Sequence, residues 1–127
     1  MKIRVMNADD APIASGGYAQ AVEVSGATSL LFISGQIPVD RAGAVPPTFA
    51  AQARLVWANL DAQLRAAGMT LDHLVKVTIF LSSRDHADEN RAVRAEILGT
   101  RTPALTVIIT GIFDPAWLLE IEAIAAA

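Results

Sequence analysis

The 127-residue chain contains no cysteine, and only 18% of its residues are charged. The absence of cysteine excludes disulfide bonds, thiolate-bound zinc or iron–sulfur sites and a cysteine nucleophile. It is compatible with the cytoplasm, which is the location we expect. No uncharged apolar run approaches the roughly 18 residues that a membrane-spanning helix needs. The start MKIRVMNADD also lacks the apolar core of a signal peptide. We therefore expect neither a membrane segment nor a membrane partner.

Positive charge is scarce as well, with 10 Lys and Arg against 13 Asp and Glu and a formal net charge of −3. A nucleic-acid groove needs clustered positive charge. The one basic cluster alternates with acidic residues, in the order Arg84, Asp85, Asp88, Glu89, Arg91, Arg94, Glu96, Arg101. This stretch predicts a solvated helix face with local ion pairs, so no nucleic-acid partner is expected.

Hydrophobic residues, in contrast, make up 53% of the chain, and its charged fraction is below the roughly 25% of average soluble proteins. A chain of this length suits one domain, and no linker or repeat divides it, so residues 1–127 are expected to fold as a unit. Such a small unit cannot hide all of its apolar surface. The excess predicts a subunit interface.

Hydrophobic periodicity predicts six strands and two helices. The strands are expected at residues 2–6, 19–25, 29–34, 75–81, 104–110 and 118–125. One helix is expected to begin at Thr48 and stop at Gly68. A second is expected over residues 86–98, with Asp85 as its N-cap and Gly99 as its C-terminal signal. This β-β-β-α-β-α-β-β order is an α+β pattern in which both helices cover one face of a sheet, and another copy of the chain is the simplest cover for the other face.

Six short segments follow one another in a specific order. They are SGGYAQA (15–21), ISGQIPV (33–39), AG (67–68), VKVTIFL (75–81), RTPA (101–104) and EIEAIA (120–125). With these segments the chain resembles the RidA family, also called the YjgF or L-PSP endoribonuclease family, over nearly its whole length. The resemblance implies a chorismate-mutase-like α+β fold and a homotrimer with a central barrel and ligand clefts between subunits. It implies that no cofactor and no metal are needed.

The best-known activity of that family is the hydrolysis of reactive enamines and imines, such as 2-iminopropionate, to 2-oxo acids and ammonia. An arginine binds the substrate carboxylate, a glutamate of the last strand handles water, and a tyrosine of the neighbouring subunit closes the cleft. The resemblance therefore implies Glu122 and Tyr18 as catalytic residues. It implies ligand contacts for Ser34, Gly35, Gln36, Asn90, Leu105, Thr106 and Val107.

The chain departs from the family pattern at the arginine. Deaminating members read Pro-Ala-Arg followed by Ser or Thr, whereas this chain reads Pro103-Ala104-Leu105-Thr106. Val107 also stands where many members have a cysteine. Losing a charged bidentate pair should weaken the binding of an anionic substrate by about 10- to 100-fold. We expect Leu105 to form an apolar cleft wall, so standard 2-iminopropionate hydrolysis is not expected.

Glu122 lies in a strongly apolar strand, where a carboxylate is costly unless it is paired or lines a solvated cleft. Glu120 is expected on the opposite face of that strand, so the two carboxylates are not expected to act as a pair. His73 and His86 have no metal-ligand spacing, and a metal site is not expected.

Two functions from different classes remain open, and a chaperone-like or interaction protein that uses exposed apolar surface is a third, weaker one. The first is a deaminase of small imine-like metabolites that are neutral or anchored in a different way. The second is a non-catalytic protein that binds a small metabolite in the same cleft. Ribonuclease activity is a weaker alternative, because the only basic cluster is neutralised by its acidic neighbours.

Overall fold

A computed structural model describes residues 1–127 and contains six strands, two α-helices and two short 3₁₀ turns. The strands are β1 (Lys2–Met6), β2 (Ala21–Ser25), β3 (Leu30–Gln36), β4 (Leu74–Leu81), β5 (Ala104–Ile109) and β6 (Leu119–Ala126). The helices are α1 (Phe49–Ala66) and α2 (Ala87–Leu98), and the 3₁₀ turns are Leu71–His73 and Arg84–His86. The predicted element order and the α+β class are confirmed.

The strands form two sheets rather than one. Strands β1 and β2 make an antiparallel pair, and the other four make a sheet in the order β3-β6-β4-β5, in which only β4 and β5 run parallel. A single bridge, with the Ala19 amide 3.1 Å from the Pro103 carbonyl, links the two sheets. The following amide, that of Gln20, donates to the Asn7 side chain at 2.9 Å. The expectation of one continuous sheet is therefore wrong.

The hydrophobic core lies between the helices and one face of the four-stranded sheet. Alternate residues of the two central strands are buried there, including Val77 and Ile79 of β4 and Ile121 of β6. Helix α1 contributes Trp57 and Leu60, both at most 1% exposed. Burying a side chain of this size contributes roughly 1.5–3 kcal/mol, so the packing of α1 on the sheet holds the domain together.

The ends of helix α1 follow the local sequence signals. The hydroxyl of Thr48 accepts a hydrogen bond from the amide of Ala51 at 3.3 Å, and Gly68 takes a positive φ of 71° just after the helix. Both features match the predicted start and stop. No helix of the structure combines the length and apolarity that crossing a membrane would require.

The start of helix α2 differs from the prediction. The hydroxyl of Ser83 accepts a hydrogen bond from the amide of Asp85 at 3.1 Å, and this contact begins a 3₁₀ turn. Asp85 therefore lies inside that turn and does not cap the helix. The residue before α2 is His86, which makes no side-chain cap and instead stacks on Phe49 with ring centroids 4.6 Å apart. Asp85 as N-cap is thus wrong.

Candidate functional site

Two glutamates lie next to each other on the sheet face that the helices leave open. Glu120 pairs with Phe80 of β4 and Glu122 with Thr78 of the same strand. Ile121, between them, points into the core and is fully buried. Residues two apart along a strand share a face, so the expectation that Glu120 points away from Glu122 is wrong. The structure places both carboxylates together.

The carboxylate of Glu120 packs against the backbone of Gly35. Strand β3 changes register against β6 between Ile33 and Gln36, and Gly35 lies within this irregular stretch. A Cβ atom on Gly35 would stand 2.7 Å from the Cδ of Glu120, closer than real Cβ contacts come. A side chain at position 35 would therefore require the Glu120 carboxylate to move.

The surroundings of Glu120 change its acidity. Burial raises the pKa of the Glu120 carboxyl above its usual range, and the charge of Glu122 raises that pKa further. Glu122 itself is exposed. Glu120 thus keeps a proton to higher pH than an ordinary glutamate, a property typical of carboxyl groups that act as acid or base.

A groove of about 290 Å³ lies beside the two carboxylates on the open face. Its lining residues are Glu120, Glu122, Phe80, Thr110, Gly111, Ile112 and Phe113. Apolar walls therefore surround a pair of acidic groups, and the size suits a ligand of a few heavy atoms. Sequence reasoning missed Phe80 and residues 110–113. The period-two pattern of β4 places Phe80 on the face away from the core, and the register of β4 against β6 places it opposite Glu120.

Of the three predicted contacts in β3, only Gly35 reaches Glu120. Ser34 and Gln36 line a different groove of about 470 Å³ along the outer edge of β3. The Nε2 of Gln36 donates to the Ser34 carbonyl at 2.9 Å, and the Oε1 of Gln36 accepts from Gln63 of α1 at 3.4 Å. The Gln36 side chain therefore connects β3 to helix α1, whereas Ser34 takes part only through its backbone carbonyl.

The three predicted contacts in β5 point in different directions. Leu105 pairs with buried Val77 and packs against the hydrophobic core on the helix side. Thr106 lies on the open side, where its hydroxyl accepts a hydrogen bond from Lys76 Nζ at 2.6 Å. Val107 is 39% exposed at the edge of the sheet. Leu105 is thus a core residue of this chain and does not form a wall of the groove, because strand alternation turns it toward the helices.

Tyr18 and Asn90 are not among the residues that line the groove beside the glutamates. Tyr18 follows the Gly16-Gly17 loop and lies near enough to Arg94 of α2 to influence the pKa of that guanidinium. Asn90, one turn earlier on α2, is 4% exposed. Neither side chain hydrogen-bonds to a glutamate, and neither lines the groove beside Glu120. One chain alone does not unite the predicted catalytic residues.

The basic cluster is mostly exposed, as expected, but the expected local ion pairs do not form within it. Arg94 is only 5% exposed, and neither Arg91 nor Arg94 forms an ion pair. Of the cluster's acidic residues, only Glu96 is in an ion pair, and its partner is Arg54 of α1. Helical spacing explains this for Arg94, because the residues four before and after it are Asn90 and Leu98, which carry no charge.

The histidines serve local structure. The Nδ1 of His73 accepts a hydrogen bond from the amide of Thr70 at 2.9 Å, which closes the first 3₁₀ turn. His86 stacks on Phe49. No three His, Cys, Asp or Glu side chains come together in a set that could hold a metal ion.

The fold and the groove define a small α+β protein with an open, carboxylate-bearing sheet face. The sequence pattern of the Endoribonuclease L-PSP family matches residues 8–127. The chain belongs to this family, which is the RidA or YjgF family that its motifs indicated.

Individual relatives cover nearly the whole chain. A RutC family protein of Pyrococcus horikoshii is 37% identical over 123 residues, which are 95% of each chain. The 2-iminobutanoate/2-iminopropanoate deaminase of Salmonella typhimurium is 36% identical over 121 residues, 92% of each chain. A solved Rid-family protein of unknown function from Yersinia pestis is 28% identical, with a TM-score of 0.85 over the full length of both chains. The predicted family and fold are confirmed.

Proposed function

We propose that the protein hydrolyses small imines or enamines and that Glu120 handles the attacking water. The observation that carries the proposal is the partly buried Glu120 carboxylate, which packs against Gly35 beside an open groove. Burial and the charge of Glu122 raise the pKa of Glu120 above its usual range, which suits a group that exchanges a proton during the reaction. The deaminase activity named for the Salmonella relative supports the same reaction class.

In this reaction, Glu120 accepts a proton as the water oxygen bonds to the imine carbon. The carbon–nitrogen bond of the resulting carbinolamine then breaks. The proton held by Glu120 passes to the departing nitrogen, so that an imine and water yield a carbonyl compound and ammonia. The neighbouring Glu122 favours the positively charged, protonated form of the imine. This arrangement gives the water-handling role to Glu120 instead of Glu122, because Glu120 is partly buried against Gly35 whereas Glu122 is exposed.

The proposal includes a homotrimer with ligand clefts between subunits, located in the cytoplasm. Exposed hydrophobic side chains support an interface, since Leu30 is 59%, Phe32 70% and Phe113 95% exposed in the single chain. The separation of Tyr18 from Glu120 supports a site that a second copy completes. Light scattering of the purified protein tests the trimer, and cell fractionation tests the location.

A second candidate function is the binding of a small metabolite without catalysis. Leu105 favours it, because this chain lacks an arginine where deaminating family members bind the substrate carboxylate. If the protein is a deaminase, leucine in place of arginine at position 105 favours an imine without a carboxylate as its substrate.

The test measures imine hydrolysis by wild type, Glu120→Gln and Glu122→Gln. An amino-acid oxidase supplies 2-iminopropionate from alanine, semicarbazide competes for it, and a neutral ketimine is assayed in parallel. We expect the neutral imine to be the better substrate and Glu120→Gln to lower kcat/KM by about 10²- to 10⁴-fold. Glu122→Gln should have a much smaller effect.

Two outcomes would contradict this assignment. Full activity in Glu120→Gln with loss in Glu122→Gln would return the catalytic role to Glu122. No turnover of either imine by wild type, together with measurable binding of pyruvate, would identify the non-catalytic binding protein.

A further inference from the structure

A second cavity, of about 200 Å³, lies between the loop that precedes β2 and helix α2. Its lining residues are Gly16, Gly17, Arg91, Arg94, Ala95, Leu98 and Gly99. None of them belongs to the groove beside Glu120. Two guanidinium groups, one helical turn apart, are the only charged side chains of this lining.

Both guanidinium groups converge on Gly16. A Cβ atom on Gly16 would lie 3.7 Å from Arg94 Nη2 and 3.8 Å from Arg91 Nε. Arg94 is held in place, because its Nη2 donates to the Gly16 carbonyl at 2.7 Å and its side chain is buried against the loop. Arg91 is exposed and makes no hydrogen bond within the protein, so its donors remain available.

Asp88, three residues before Arg91 on α2, forms no ion pair with it. No carboxylate lies within ion-pair distance of Arg91 or Arg94. Like charges three residues apart on a helix repel each other. Burial lowers the pKa of Arg94, and the charge of Arg91 lowers it further. A bound anion would relieve both the repulsion and the loss of hydration.

The loop adds backbone donors at the rim of the cavity. Gly16 and Gly17 both have positive φ, at 91° and 78°. The amides of Gly16, Gly17 and Tyr18 donate no hydrogen bond to the protein backbone. Unpaired consecutive amides beside positive side chains are a common feature of anion sites in proteins.

We infer that this cavity binds a small oxyanion, a carboxylate or phosphate group, between Arg91 and Arg94. The guanidinium of Arg94 is a fixed donor, and that of Arg91 completes the contact from the solvent side. The volume accommodates one such group and no polymer. The inference does not depend on the proposed function, because no residue of the Glu120 groove takes part.

Isothermal titration calorimetry of the intact protein with inorganic phosphate and with acetate, at constant ionic strength, tests the site. We expect one ion per chain and at least about tenfold weaker binding in Arg91→Gln, as for the loss of a charged hydrogen bond. The control is Arg84→Gln, which removes the same charge from an exposed arginine outside the cavity and should bind as wild type does. Binding of phosphate alone identifies a phosphate ligand, and binding of acetate identifies a carboxylate ligand.

Arg94→Lys provides a second variant that keeps the charge but loses the planar guanidinium. It should also bind at least about tenfold more weakly, with circular dichroism confirming that it is folded. No heat from either anion with wild type would overturn the inference, as would unchanged affinity in Arg91→Gln. The imine assay reports separately on the groove, so failure of one proposal does not imply failure of the other.

Discussion

The carboxylate of Glu120 occupies the space in which a side chain on Gly35 would stand. The two residues come from paired strands, β6 and β3, at the point where their register changes. The contact takes the carboxylate partly out of water and so contributes to its raised pKa. The missing side chain of Gly35 therefore lets the Glu120 carboxylate pack against β3, and this packing contributes to the raised pKa of Glu120.

Gly35→Ala should displace the Glu120 carboxylate, because the new Cβ would lie 2.7 Å from Cδ and 3.0 Å from Cγ. Because the Glu120 carboxylate is the flexible end of a half-buried side chain, we expect the free energy of unfolding to fall by only about 1 kcal/mol, the low end for overpacked sites. Urea denaturation measures the change. Gly111→Ala is the control, since a Cβ there would meet no atom within 4 Å. In a Glu120→Ala background the cost of Gly35→Ala should largely disappear, and an unchanged cost would show that the contact is not its cause.

Glu120→Gln should alter how stability depends on pH. The folded chain holds the Glu120 proton more tightly than the unfolded chain, whose carboxyl has a pKa near 4.5. The stability that the protonated group contributes is complete below that value and is lost as the pH rises through the raised pKa of the folded state. The difference in unfolding free energy, variant minus wild type, should therefore be more positive at pH 8 than at pH 4.

Urea denaturation at pH 4, 6 and 8 checks this expectation. The control is Glu89→Gln, which changes an exposed glutamate that forms no ion pair and should show no such trend. A difference between wild type and Glu120→Gln that stays constant across this range would contradict the raised pKa.

Gln52→Met should destabilise the domain by about 2–4 kcal/mol, because it leaves several buried backbone groups without partners. The side chain is 2% exposed. It donates to the carbonyls of Pro46 and Ala116 at 3.0 and 3.1 Å and accepts from the amide of Leu118 at 2.8 Å. Thermal and urea denaturation measure the loss. Gln63→Met makes the same change at an exposed position of α1 and should stay within about 0.5 kcal/mol of wild type.

Leu105→Arg introduces the residue that is typical of the deaminating family members. It should lower the free energy of unfolding. Leu105 packs against the core, and a charge there is costly without a partner, so we expect a loss of about 2–4 kcal/mol. Leu105→Met, of similar volume, should cost less than about 1.5 kcal/mol. Equal stability of Leu105→Arg and wild type would show that the side chain at this position can turn to the open face.

Features encoded by neighbouring residues could be predicted from the sequence. Thr48 and Gly68 marked the ends of α1 because a cap and a positive φ depend on the few residues around them. Period-two alternation located the strands, and six motifs in order identified the family. Alternation also places Glu120 and Glu122, which are two residues apart, on the same face of β6, contrary to the expectation of opposite faces.

Contacts between distant parts of the chain were decided only by the tertiary structure. The approach of Glu120 to Gly35 depends on the register of β6 against β3, and the convergence of Arg91 and Arg94 on Gly16 depends on how a loop packs on α2. Likewise, Leu105 faces the core because β5 pairs with β4 in one particular register. The sequence determined which elements form, since local patterns specify them. Packing determined which side chains meet, since burial and strand register act only after those elements have come together.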